Sequence, residues 1–136
     1  MSAEDQRPDG TEHGLHSVMP MFDSARTIPT LRNEAEYIQN GHTAITLIKE
    51  PLLRVVLVCM QKDAILHAHR APGPFSLTVL EGRIVFRLVA DADNSTAELR
   101  EGQLLFLTEP RLHEVTALEN SECVCADPCA SQRWRR

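Results

Sequence analysis

Three histidines are spaced as the ligands of one metal ion would be. His67 and His69 are separated by a single residue, and His113 follows at the end of the segment GQLLFLTEPRLH. Because successive side chains of a strand point to opposite faces, an H-x-H pair in a strand would place both imidazoles on one face. A barrel that closes on itself would bring His113 to the same place. The pattern therefore predicts a metal site.

The chemistry of such a site follows from its ligands. Three neutral imidazoles would leave a divalent ion with its full charge and with open coordination positions. Such an ion favours anions that chelate it, and it permits Lewis-acid or oxygen chemistry. We expect a divalent transition metal (Fe, Mn, Ni or Zn, which the sequence does not distinguish) and a small organic anion as ligand or substrate. In the alternative interpretation, the histidines are polar residues at a barrel mouth and hold no metal.

The elements that must position these histidines are short strands. From about residue 34 the chain consists of segments rich in Val, Ile, Leu and Thr, which Gly, Pro, Asn and Asp separate. This pattern is typical of an all-β sandwich or barrel. We predict nine strands, at AITLIKE, LRVVLVCM, AILHAH, FSLTVL, RIVFRLVA, TAELR, QLLFL, HEVTA and ECVCA. No long amphipathic helix is expected, and a weak period between Leu31 and Tyr37 is compatible with one helical turn.

The chain is predicted to be one domain with two tails. Its 136 residues, 43% of them hydrophobic, are enough to build a core. Residues 1–31 are rich in polar residues, Gly and Pro without a sustained period, so we expect a flexible N-terminal arm. The barrel domain then covers residues 32–129, and a basic tail covers residues 130–136.

Charge and hydropathy exclude several classes of partner. The net charge is −5, and the cationic cluster that stands out is the terminal RWRR, so we expect no nucleic acid. The apolar stretch LLRVVLVCM is too short to span a bilayer and contains Arg54, and no signal peptide is evident, so we expect no membrane and a cytoplasmic location.

The four cysteines have two possible roles. We expect Cys59, Cys123, Cys125 and Cys129 to be thiols and not disulfides, because no secretion signal is evident. The last three are close enough to suggest a soft-metal or redox site. Small core residues are the favoured interpretation.

Two longer segments carry a family resemblance. ILHAHRAPGPFSLTVLEG (residues 65–82) and GQLLFLTEPRLHEVTA (residues 102–117) resemble the two sequence motifs of the cupin superfamily. The motif positions are occupied by His67, His69, Gly82, Gly102 and His113. The resemblance implies a small antiparallel jelly-roll β-barrel of the RmlC-like type, with a ligand site inside its open end.

One departure from the cupin motifs concerns the site itself. Phe75 lies seven residues before Gly82, where the family has a glutamate ligand, and no acid occurs between Arg70 and Leu80. Glu81 has the parity of Phe75, but a solvent-facing turn residue is the favoured interpretation. Some cupin dioxygenases that act on thiols or diketones use three histidines. The resemblance therefore leaves two functions open, a mononuclear metalloenzyme and a non-catalytic binding or sensing module without metal, and no catalytic residue is assigned.

The surroundings of the site can also be predicted. Phe75, Leu77 and Val79 alternate along one strand and are expected to line an apolar pocket. Arg70 follows the H-x-H pair and is the candidate for an anion contact at the mouth. Arg54 interrupts an apolar strand and is expected to face water, with an inward role of holding a carboxylate as the alternative.

A homodimer is the expected assembly. LLRVVLVCM has apolar residues of both parities, more than one face of a barrel needs. Edge strands of a small barrel also expose backbone groups that must be covered. We therefore expect pairing through strands of the N-terminal half.

Overall fold

The fold is described from a computed structural model for residues 18–89 and 95–128. Within these ranges, two helices precede nine strands. The helices are α1 (Ser24–Arg32) and α2 (Ala35–Asn40); the strands are β1 (His42–Glu50), β2 (Leu53–Met60), β3 (Ile65–His69), β4 (Phe75–Glu81), β5 (Arg83–Leu88), β6 (Thr96–Arg100), β7 (Leu104–Leu107), β8 (His113–Ala117) and β9 (Ser121–Asp127). The nine predicted strands are confirmed.

The strands form two antiparallel sheets. One sheet has the order β1-β2-β9-β4-β7, and the other has the order β3-β8-β5-β6. Neighbours in the sheets are mostly distant in sequence, as in a jelly roll, where the chain passes repeatedly between two facing sheets. The predicted all-β jelly-roll barrel is confirmed.

The core of the barrel lies between the inner faces of the sheets. Along β4, Phe75, Leu77 and Val79 are buried and the residues between them are half-buried, which is the period of two that a strand imposes. The rest of the buried core comes from the other strands and from Ala71, which lies between β3 and β4; the strand residues are Val58, Met60, Ile84, Phe86, Leu99, Val115, Ala117 and Cys123.

Both motif glycines occupy turns that favour glycine. Gly82 joins β4 to β5 with φ +93°, and a Cβ at this position would collide with Ser121. Gly102 precedes β7 with φ +86°. Because other residues rarely adopt positive φ, these two positions account for the glycines of the motifs.

The helices differ from the expectation for this part of the chain. The predicted arm, residues 1–31, overlaps α1, whose sequence SARTIPTLR contains Pro29 and has weak helix propensity. Two interactions compensate: the Oδ1 atom of Asp23 accepts a hydrogen bond from Ala25 N at 3.0 Å, and the helix packs on the sheet. Residues 1–17 of the arm and the predicted tail, residues 130–136, lie outside the described residues. In the described ranges, neither helix is long and apolar enough to cross a membrane.

A second core lies between the helices and the outer face of the larger sheet. It contains Leu31, Tyr37, Ile45, Leu47, Leu57 and Cys59. Strand β2 is therefore apolar on both faces because one face lines the barrel and the other packs under the helices. The helices thus account for the apolar excess on which the dimer prediction was based, and the homodimer stays a prediction.

Candidate functional site

His113 is the most deeply buried of the three predicted metal ligands. It begins β8, and its side chain is 0% exposed. Its ring stacks on Phe86 at a centroid distance of 4.8 Å and lies 4.9 Å from the ring of Phe75. Burial lowers the pKa of His113 below its usual 6.5, because the charged ring would lose its hydration. The imidazole is therefore neutral at pH 7.

His69 lies next to His113 at the same end of the barrel. The two residues are register partners across β3 and β8, and their ring centroids are 4.3 Å apart. The Nδ1 atom of His113 lies 2.9 Å from the carbonyl oxygen of Arg111, and that of His69 lies 3.2 Å from the carbonyl oxygen of His67. Because a carbonyl oxygen can only accept, both Nδ1 atoms carry the proton, and Nε2 of a neutral ring is an acceptor. Within the described ranges, Nε2 of His113 has no hydrogen-bond partner.

A β-bulge separates His67 from this pair. Strand β3 pairs Leu66 with Val115 and then His69 with His113, so three steps along β3 oppose two steps along β8. The extra residue interrupts the alternation that would have put His67 and His69 on one face. Leu66 packs against the barrel core and His69 lines the barrel cavity, whereas His67 does not line it; both histidines are exposed. The predicted convergence is thus found for His69 and His113 but not for His67.

The residues present do not fit the predicted three-histidine metal set. Across residues 18–89 and 95–128, no group of three His, Cys, Asp or Glu side chains is placed to hold a metal ion. Phe75 occupies the glutamate position of the cupin motif and packs its ring against His113. Glu81 instead bonds Arg32 at 3.3 Å. Of the predicted ligands, His69 and His113 each bring one imidazole to this end of the barrel.

A cavity of about 120 Å³ lies inside the barrel, next to His69 and His113. Most of its lining is apolar. Its polar groups come from these two histidines, from Arg54 and Asp127, and from two cysteine thiols. Besides the histidines, the lining residues are Arg54, Val56, Val58, Met60, Leu66, Phe75, Leu77, Val115, Cys123, Cys125 and Asp127. Of the predicted pocket residues, Phe75 and Leu77 line this cavity, Val79 is buried in the core without lining it, and Arg70 is exposed outside it.

An ion pair forms part of the cavity wall. Arg54 and Asp127 are register partners on β2 and β9, and Arg54 donates from Nε to Oδ1 and from Nη2 to Oδ2, both at 3.2 Å. Asp127 is 9% exposed. The water-facing orientation favoured for Arg54 was wrong, since its inward alternative, holding a carboxylate, is what the structure shows. Sequence reasoning missed Asp127 because the register that pairs it with Arg54 is a long-range property.

The cysteines are free thiols in two environments. Cys123 and Cys125 line the cavity, and Cys59 packs under the helices. Burial raises the pKa of Cys125 and of Cys59 to about 12, so both thiols are protonated at pH 7 and are poor nucleophiles. Cys129 lies outside the described residues.

A larger, shallower groove of about 490 Å³ lies beyond Phe75. Leu52, Leu53 and Phe106 contribute exposed apolar surface to it, and Phe106 is 66% exposed on the edge strand β7. Phe75 and Asp127 line both the groove and the barrel cavity, so the two spaces share a wall.

Comparisons with known proteins bear on the fold. No protein-family model and no curated protein matches the chain. A cupin superfamily protein from Desulfitobacterium hafniense superposes with a TM-score of 0.63 at 12% identity, over 82% of this chain and 92% of that one. An RmlC-like cupin from Shewanella frigidimarina superposes at 0.59 with 18% identity, over 69% and 82%. A variant of Bacillus subtilis oxalate decarboxylase gives 0.60 with 17% identity, over 71% of this chain but 28% of that one. Together with the topology and the motif glycines, these likenesses show that the chain has the RmlC-like fold of the cupin superfamily.

Proposed function

We propose that this small cupin domain binds a small molecule inside its barrel, with His113 as the recognition group, and that it does so without a metal and without catalysis. The observation that carries the proposal concerns His113, which lines the apolar cavity: its Nε2 atom is buried and has no partner among the described residues. A buried polar atom left unpaired costs about 1–3 kcal/mol. A ligand that bonds this atom would remove that cost.

Apart from His69, the other polar groups of the cavity support binding over catalysis. The side chains of Arg54 and Asp127 bond each other, and burial keeps the thiol of Cys125 protonated. General acid–base catalysis needs a titratable group with a suitable pKa within reach of the substrate, and nucleophilic catalysis needs an activated nucleophile. These groups supply neither. Buried free thiols are also common in reducing compartments, which agrees with the cytoplasmic location we propose.

Metal binding is the second candidate, and one observation favours it. Backbone carbonyls hold the Nδ1 atoms of His69 and His113, which is how metal-bound histidines are commonly oriented, and this leaves the lone pairs of both Nε2 atoms able to coordinate a metal ion. A bound divalent ion would supply Lewis acidity to an anionic ligand. Against this candidate stand the exposed position of His67 and the aromatic ring at Phe75.

Methyl NMR on the full chain tests the proposed function. Small neutral and anionic molecules are titrated, and binding in the cavity should shift the methyl signals of Val58, Leu77 and Val115. Val56→Phe, which fills the cavity, should abolish these shifts. Val85→Phe is the matched control, because Val85 lies between the inward-facing Ile84 and Phe86 on β5 and does not line the cavity.

Elemental analysis of protein purified without a histidine tag tests the metal candidate. Stoichiometric metal in the wild type, lost in His69→Ala, would establish metal binding and reject the proposal. Shifts that persist in Val56→Phe would also reject it, because the ligand would then bind elsewhere.

A further inference from the structure

We propose that the ligand of the barrel cavity is a small neutral molecule with one hydrogen-bond donor on an apolar body, such as a four-carbon alcohol. The inference rests on the proposed function, since it concerns the same cavity. It replaces the small organic anion expected from the sequence with a different chemical class.

The donor requirement follows from the tautomer of His113. Its Nδ1 atom lies 2.9 Å from the carbonyl oxygen of Arg111 and therefore carries the proton of the neutral ring. Nε2 is then an acceptor, and the group that complements it must donate. A hydroxyl group does so, whereas a carbonyl, an ether or a carboxylate does not.

The size and the lining of the cavity determine how large and how apolar the rest of the ligand can be. Val58, Leu77 and Val115 are among the lining side chains, and they offer no polar contact. The volume is about 120 Å³. An engineered apolar cavity of about 150 Å³ holds benzene, so this one suits a compact molecule of about five non-hydrogen atoms.

The ion pair disfavours an anionic ligand. The Nε and Nη2 atoms of Arg54 both donate hydrogen bonds to the carboxylate of Asp127, which is largely buried. An anion that took over this guanidinium would leave the carboxylate of Asp127 without its cation. It would also place a second negative charge beside it, and unpaired charges are costly to bury. A neutral ligand leaves the ion pair intact.

Three probes of similar shape separate these requirements. Isobutanol carries a donor, isobutyraldehyde has an acceptor in its place, and isobutyrate is an anion. Each is titrated into the full chain at pH 8, and the methyl signals of Val58 and Val115 are followed by NMR. We expect isobutanol to bind about tenfold more tightly than either of the other two, the usual effect of one buried hydrogen bond.

Two variants link the preference to one atom. His113→Phe keeps a ring in place but removes Nε2, so it should erase the preference for isobutanol over isobutyraldehyde. His42→Phe, the same change outside the cavity lining, should leave the preference unchanged.

The possible outcomes separate this inference from the proposed function. Tighter binding of isobutyrate, or equal binding of isobutanol and isobutyraldehyde, would overturn the ligand class while binding in the cavity stands. The same holds if none of the three binds but other small molecules shift the cavity methyl signals. If no small molecule shifts them, the inference and the proposed function are both rejected.

Discussion

The ion pair under the helices gives a prediction about stability and pH. The side chain of Glu122 is 0% exposed, and its Oε2 atom accepts a hydrogen bond from Arg32 Nε at 3.0 Å. Its Oε1 atom has no partner among the described residues. Burial raises the pKa of Glu122 to about 7, although Arg32 acts in the opposite direction. Because the pKa is raised on folding, the stability contributed by this carboxyl group is fully present below its unfolded value of about 4.5 and is lost as pH rises through 7.

Replacing Arg32 by Met should therefore lower the free energy of unfolding more at pH 8 than at pH 5. Removing one partner of a buried ion pair costs about 3–5 kcal/mol. The side chain of Arg32 is 37% exposed and the screening by water is substantial, so we expect a loss of about 2 kcal/mol at pH 8. At pH 5 the carboxyl group is protonated in both proteins, and the loss should fall to that of the hydrogen bonds from Arg32 to a neutral, partly solvated partner, about 1 kcal/mol.

Urea unfolding followed by circular dichroism at pH 5 and pH 8 measures both values. Glu122→Gln should unfold with less pH dependence than the wild type, since the amide does not titrate. Arg87→Met is the control: Arg87 pairs with Glu114 at 2.7 Å on a more open surface, and a loss below about 1 kcal/mol at both pH values is expected. A loss for Arg32→Met that is equal at pH 5 and pH 8 would refute the assignment of the raised pKa to Glu122.

Three further predictions concern the barrel and its assembly. His113→Phe should change the free energy of unfolding by less than about 1 kcal/mol, because it removes the unpaired Nε2 but also the hydrogen bond from Nδ1 to the carbonyl oxygen of Arg111; a loss above about 2 kcal/mol in urea unfolding would contradict this. Phe75→Glu should lower the free energy of unfolding by about 3 kcal/mol without metal, because it buries an unpaired carboxylate. Zn²⁺ should raise the melting temperature of this variant but not of the wild type. No response to Zn²⁺ would show that a carboxylate at this position does not complete a metal site. Sedimentation at micromolar concentration should give the mass of the predicted homodimer, and Leu52→Ser, but not Ile38→Ser, should release single chains. Both side chains are exposed, at 71% and 62%, but Leu52 belongs to the apolar groove, next to the start of β2 in the N-terminal half; a single-chain mass for the wild type would reject the dimer.

Strands and turns could be predicted from this sequence because their signals are local. Alternation of apolar residues gave the strands, and glycine at positions 82 and 102 gave two turns with positive φ. Helix α1 could not be predicted in this way. Its propensity is weak, and it is stabilised by Leu31 packing on the outer face of a sheet whose existence the local sequence does not reveal.

The candidate site was predicted only in part, because the local sequence does not reveal every feature that positions its residues. The parity argument for His67 and His69 assumes a regular strand, and one extra residue in β3 is enough to invalidate it. Nothing in ILHAH indicates a bulge. The contact between His69 and His113, by contrast, depends on which strands are neighbours, and the family resemblance supplied that information.

Phe75 and Phe86 act together on the ring of His113. With a ring at Phe75 in place of a carboxylate, one face of the imidazole meets apolar atoms, and Phe86 stacks on it as well. This environment keeps the ring neutral and leaves Nε2 without a partner among the described residues. A third apolar ring would avoid the cost of the unpaired Nε2, although it would lose the hydrogen bond from Nδ1 to the carbonyl oxygen of Arg111. A residue that serves a function is often less favourable for stability than another residue at the same position would be. The unpaired nitrogen of His113 is therefore better explained by the binding of a hydrogen-bond donor than by the stability of the barrel.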